Sequence, residues 1–360
     1  MSAISLYLST LYLFSIGAAF FTRFSNVNAG NLLSILTAII AFAIAAFRPW
    51  NFPDVDTYEL MYDHGVTGDF DNPIYWAAHG EPGFKIFAYL ASLFGINYDG
   101  FLILMAAISC ILLIYISRIS RIPFAYLWFT YFSFYFITRD LGVIRLSIAS
   151  HLIVIFFLQR KMIWQIFSLG IATLAFQYFA FVAMFAKLMA RIKINWLSVL
   201  LLIFFSFFLA NLLSFEAIKF LLPEETANNY EGSAEVAGST SSIIIPVIRN
   251  TFFAFLILFL LKDKTNNQLI RVLIWAALLS ATMYVMTSGI LVVAQRFSAY
   301  FGAAIPLTLA YLMHSGAMKN HQFLLVVLFS ILNFISLFYF NNFIWHPDSN
   351  YYFLYDAETF

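Results

Sequence analysis

Residues 99–161 read DGFLILMAAISCILLIYISRISRIPFAYLWFTYFSFYFITRDLGVIRLSIASHLIVIFFLQRK. Three apolar runs, 99–117, 123–138 and 141–158, fill this stretch. Each approaches the roughly 20 residues that a helix needs to cross a bilayer. Backbone in hydrocarbon must bond to itself, so runs of this kind imply a helix bundle rather than an open sheet. The breaks between them differ in charge. SRISR (117–121) and QRK (159–161) are purely basic, whereas Arg139 and Asp140 form a mixed break.

The rest of the chain repeats the pattern. It is 62% hydrophobic and 10% charged, with 44 phenylalanines in 360 residues. Further spans are read at 3–21, 31–47, 162–177, 179–190, 195–213, 245–261, 269–288, 297–313 and 322–340, giving about twelve crossings. The pair 162–177 and 179–190 is short and reads as a dipping hairpin or one whose turn stops below the surface. The opening MSAISLYLSTLYLF lacks a basic n-region and a small-residue cleavage site, so it reads as a retained span. The fold class is therefore all-α, a polytopic membrane bundle in a single transmembrane domain, 1–360.

Sidedness follows from the charges. One side collects 12 of the 19 Lys and Arg and only Asp263 among the acids; the other holds 17 of 18 acids. The positive-inside rule makes the basic side cytoplasmic and sets the acidic side, with its long segments, outward. Chemistry is then expected on the outer side. Three segments fall there: an outer loop over 48–98, a second over 214–244 and the tail 341–360. Within the first, EPGFKIFAYLASLFG repeats Phe84, Phe87, Leu90 and Phe94 at helical spacing. It is too short to cross and reads as an interfacial helix lying flat. Glu81 and Pro82 suit its first turn.

The ionisable residues of that side are the candidates for chemistry. Arg145 lies a turn inside a span, where an unpaired charge is costly; Asp140 is one available partner. Arginine forks bind phosphate, so Arg139, Arg145, Arg249 and Arg296 are candidates for a lipid-linked pyrophosphate, with snorkelling or structural pairing as the bland alternative. Arg48 is read as structural. The pattern Asp54-Val-Asp56-Thr-Tyr58 offers carboxylates able to hold a divalent metal or to serve as a general base toward a sugar hydroxyl, with a solvated acidic loop as the bland alternative. Tyr58, Tyr62 and Trp76 surround them as sugar platforms, or as an aromatic belt. The histidines are too scattered for a metal site, the single cysteine, Cys110, lies in a span, and no nucleotide-binding loop is present. No metal or cofactor is expected, and a net charge of +1 gives no reason to expect nucleic acid.

The ordered motifs D54-x-D56-T-Y58, E81-P82-G83-F84 and R139-D-L-G-V-I-R145-L-S-I-A149, with a looser Q295-R-F-S-A-Y300, resemble the EpsG-type family of bacterial exopolysaccharide proteins, counted among the Wzy-like polymerases. The likeness is best over 48–190. It implies a glycosyltransferase polymerase of O-antigen, capsule or exopolysaccharide that moves undecaprenyl-pyrophosphate-linked oligosaccharide onto a lipid-linked repeat unit. Membrane lipids, a chain-length regulator and a flippase are the implied partners. Asp56, then Asp54, would be the base, with Arg145 steadying the leaving pyrophosphate. Glu81, Gln177 and Tyr178 would join Tyr58, Tyr62 and Trp76 at the sugar. Two departures stand out: Leu146 replaces a frequent Gln, and Phe176-Gln177-Tyr178 replaces a Phe-His turn. Gln177 cannot act as a base. Other classes compatible with the residues are a polyprenyl-phosphate-dependent transferase using the Asp-x-Asp, a lipid-linked oligosaccharide flippase, and a membrane acyltransferase.

Overall fold

The computed structural model describes residues 3–48, 55–72, 75, 81–194, 196–212, 240–261, 265–288, 291–315 and 319–340. Among them the chain is entirely helical. Five helices are long and apolar enough to cross a membrane: Ser5–Phe24, Val27–Ala46, Tyr98–Ser120, Gln268–Met286 and Asn320–Phe338. The other apolar helices, Ile144–Leu158 among them, are shorter. The chain divides into two compact units, Met1–Phe181 with Leu309–Phe360, and Val182–Thr308.

In the first unit, α1 (Ala3–Phe24) and α2 (Val27–Ala46) form a hairpin. Asn26 starts α2 by accepting from the amides of Asn28 and Ala29 at 2.9 and 3.2 Å, the usual role of an N-cap. The hairpin closes tightly because residue 30 is glycine: a Cβ there would meet Thr22 Oγ1 at 2.0 Å.

The segment read from sequence as an acidic loop begins with a helix, α3 (Val55–Val66). Its buried residues Val55, Tyr58, Met61, Tyr62 and Gly65 fall on one side, and its acids point away. Next comes α4 (Pro82–Leu93), the expected short helix, with Pro82 at its first position. Its buried residues are Phe84, Lys85, Ala88 and Ala91, while Leu90 and Phe94 are exposed. Phe84 and Phe87 pack on Phe101 with ring centroids at 5.4 and 5.5 Å. Small residues set the closest approaches. A Cβ at Gly65 would meet Ala88 Cβ at 2.7 Å, and one at Gly83 would meet Ala175 Cα at 2.7 Å. The helix is thus wedged between α3 and the segment around Ala175.

α5 (Tyr98–Ser120) is capped by Asn97, which accepts from the Gly100 amide at 3.0 Å. α6 (Phe124–Tyr131) then runs on as π-helix over Phe132–Asp140. The wide turn shows in the bonds Leu141 N to Phe136 O (3.2 Å) and Val143 N to Thr138 O (3.4 Å), each spanning five residues. After a break at 141–143, α7 (Ile144–Leu158) is buried on nearly every side, as expected of a helix apolar all round.

α8 (Met162–Ile171) also ends in a π-turn, Ala172–Phe176, and Gln177 breaks it in extended conformation. A 3₁₀ turn, Tyr178–Ala183, follows. The hairpin turn lies against α4, since Gly83 touches Ala175.

The second unit holds α9 (Met184–Met189), α10 (Trp196–Leu212), α11 (Thr240–Leu261), α12 (Gln268–Met286) and α13 (Leu291–Gly302). α12 is its core helix; Trp275 is fully buried and its indole donates to Ile192 O at 3.3 Å. The span expected at 297–313 is broken: α13 ends at Gly302 and α14 (Ala304–His314) starts afresh. The last described helix, α15 (Asn320–Ile335), ends in a π-turn, Ser336–Phe340. It belongs to the first unit, where the Asn333 amide donates to Ser133 O at 2.8 Å.

Candidate functional site

The expected pyrophosphate arginine Arg145 sits in the first turn of α7 and is largely buried. It is not paired with Asp140, the neighbour offered by sequence. Its partner is Glu81, the N-cap residue of α4, 64 positions away, which accepts from Arg145 Nη1. The guanidinium is boxed by the Tyr58 and Phe84 rings, with centroids at 5.6 and 5.7 Å. Such stacking suits guanidinium, which is flat and weakly hydrated. Tyr178 lies within electrostatic reach of both Glu81 and Arg145, and its side chain is 47% exposed. Gln177, beside it, is buried.

This constellation has a local cause in each element. Pro82 holds the preceding Glu81 extended, with φ −67° and ψ 145°. Gly83 allows α4 to close on Ala175, bringing the 177–178 turn to the same place. Tyr58 is carried on the buried side of α3.

Arg48, also over the Tyr58 ring (5.5 Å), has another task. Its Nη1 donates to the carbonyls of Asp140, Leu141 and Gly142 at 3.4, 3.0 and 3.3 Å. A cation there meets the negative end of the preceding helix and satisfies carbonyls that the break leaves unpaired. The structural reading of Arg48 fits this geometry.

Behind the pair lies a sealed polar network that sequence reading passed over. Asp140 is fully buried. Ser109 and Ser147 each donate to its Oδ1 at 2.6 Å, and the Tyr131 hydroxyl donates to Oδ2. His151 Nδ1 lies 2.8 Å from Ser147 O. Arg139 is also buried, donating to Ser150 Oγ and stacked 3.4 Å from the Tyr135 centroid. The Ser109, Ser147 and Ser150 hydroxyls give no sequence signal; only the charge pair Arg139-Asp140 marks the spot.

The remaining candidates lie elsewhere. Asp56 is exposed in the first turn of α3, two residues from Tyr58 and so off the face that meets Arg145. Asp54 and Trp76 fall outside the described residues, as does the tail 341–360. Tyr62 is buried; its hydroxyl donates to Ile96 O and its ring packs on Tyr98 and Phe101 at 5.9 and 5.2 Å, so it braces α3 against α5. Burial raises its pKa above the ordinary phenol value. Lys85, fully buried one turn after Glu81, donates to Tyr75 O; burial holds its pKa below the ordinary lysine value, with Glu81 acting in the opposite sense.

Arg249 and Arg296 belong to the second unit. Arg249 Nε donates to Asn250 Oδ1 at 3.3 Å, and Asn250 donates to Ser298 Oγ at 2.9 Å. Arg296 is exposed on α13. The same unit has an apolar cavity of about 420 Å³ between α10, α11 and α12, lined by Ile203, Phe207, Ile248, Phe252, Leu278 and Val285.

Compared with known proteins, the chain matches one family model, the EpsG family, over residues 31–356. No curated protein and no solved structure matches it.

Proposed function

The chain belongs to the EpsG family, and from that membership and the site we propose that it is a glycosyltransferase of polysaccharide assembly. In this reading it polymerises undecaprenyl-pyrophosphate-linked glycan onto lipid-linked repeat units at the outer face of the bacterial inner membrane. A chain-length regulator and a flippase are its expected partners. The observation that carries the proposal is Arg145: a largely buried guanidinium, boxed by Tyr58 and Phe84, beside the half-exposed Tyr178. Glycosyl transfer from a pyrophosphate builds negative charge on the leaving group, and a cation fixed in advance stabilises that charge as it develops. Tyr178 supplies aromatic surface for sugar, and the buried Tyr58 holds the guanidinium beside it. Arg139, spent on Ser150 and Tyr135, supports from behind. Arg249 and Arg296 are the second unit's candidates for phosphate.

The test is a gel of surface polysaccharide. A strain lacking the gene should lose the long ladder and keep a single capped repeat. Loss of the single repeat as well would place the protein earlier, as the transferase or flippase of the competing readings. Arg145→Ala should cut long-chain polymer by about 10²–10³-fold per folded protein; full-length chains from that variant would sink the proposal.

A further inference from the structure

The guanidinium assigned to the phosphate is already occupied. Glu81 holds Arg145 through a hydrogen bond from Nη1 to Oε2, and Tyr58 also interacts with the guanidinium, while Arg145 Nε is buried with no partner among the described residues. A fork with an unused donor is not satisfied by this contact; two parallel bonds to two oxygens are its strong mode. A pyrophosphate offers more oxygens and more charge than one carboxylate. Glu81 is also poised to leave. Its backbone is fixed by Pro82 and by the start of α4, so only side-chain torsions need change.

We infer that the Glu81–Arg145 pair is a latch: the donor's pyrophosphate takes Arg145, and the carboxylate it displaces is the general base. This rests on the proposed glycosyl transfer and adds the base and its timing. In the step, the acceptor hydroxyl oxygen bonds to the donor's anomeric carbon as the bond from that carbon to the pyrophosphate oxygen breaks. The bonding pair leaves with the pyrophosphate, whose charge rests against Arg145. The hydroxyl proton passes to Glu81. No further reactant is needed. The other described carboxylates nearby fit the role less well. Asp56 faces away from Arg145, and Asp140 is sealed under three hydroxyls. While no donor is bound the base stays masked in the pair with Arg145.

The test uses the full-length protein in lipid nanodiscs, with inorganic pyrophosphate as the probe in calorimetry, and polymer length in cells as the activity. Glu81→Gln removes the internal competitor, so it should bind pyrophosphate about tenfold more tightly than the unaltered protein, a gain of about 1.4 kcal/mol. Its polymer yield should fall by about 10²–10⁴-fold. If the pair were only a clamp between α4 and α7, the substitution would weaken binding; unchanged or weaker binding overturns the latch. Polymer within a few-fold of normal overturns the base. Should Glu81→Gln not fold, Glu81→Asp serves: its shorter carboxylate loosens the pair yet keeps a base. It should bind pyrophosphate more tightly and still make polymer; normal affinity there overturns the latch. Arg145→Ala separates the two claims. If it binds pyrophosphate normally, the phosphate assignment itself fails; if it does not and Glu81→Gln also binds weakly, only the latch fails.

Discussion

Glu81 and Asp140 are both buried carboxylates of the first unit, and they are held in opposite ways. Glu81 has a cation, a hydrogen bond to it, and a half-exposed tyrosine alongside. Asp140 has Ser109, Ser147 and Tyr131 converging on it, with no exposure at all. A carboxylate that three hydroxyls satisfy from within is part of the frame, fixing the break between α6 and α7. A carboxylate satisfied by an arginine can be replaced by any better anion. Buried charge is thus evidence for function only when its partner is one that a substrate can imitate.

The contrast is open to breaking. The largest effect on stability is expected at the frame. Asp140→Ala removes the shared acceptor of three buried hydroxyls, which keep only their bonds to one another; at about 1–3 kcal/mol per unsatisfied group, the purified protein should melt markedly lower and accumulate poorly. Asp140→Asn keeps an acceptor and should be milder, with normal polymer per folded molecule. An Asp140→Asn protein that is stable yet inactive would move Asp140 from frame to chemistry. A middle-sized effect is expected where frame and site meet. Gly83→Val drives a side chain into the backbone at Ala175. Overpacking of this kind costs about 1–3 kcal/mol, and pyrophosphate binding should weaken with stability as α4 is pushed out. Unchanged binding would show that the wedge does not position Glu81. The smallest effect is expected at Asp56. Exposed and off the Arg145 face, it should tolerate Asp56→Asn with a stability change within about 0.5 kcal/mol and normal polymer length. Shortened polymer would restore Asp56 as the base.

Much of this was legible in the sequence, and the misses have physical reasons. Apolar length marked the helices, and Arg145 stood out as a charge that must find a partner. Its partner did not stand out, because Asp140 is close in sequence while Glu81 arrives only through the Gly83–Ala175 approach. α3 was hidden by its acids, although Val55, Tyr58, Met61, Tyr62 and Gly65 already carry helical spacing. In α4 the large apolar residues Leu90 and Phe94 stay exposed, as an interfacial helix allows. In a membrane chain lipid is as apolar as a core, and close contacts fall to small residues instead; Ala88, Ala91, Gly65 and Gly83 follow that rule.

The π-turn at Phe132–Asp140 bears on how this sequence can vary over time. An inserted residue there would turn everything beyond it by about 100°, swinging Asp140 away from its serines and Arg145 away from Glu81, whereas a deletion can be taken up by tightening the π-turn to α-helix. Exchanges among the phenylalanines would do far less. Related genes should therefore drift freely in spelling across 132–138 while carrying no insertions between Trp128 and Arg145. In this stretch it is added length, more than changed identity, that descent must exclude.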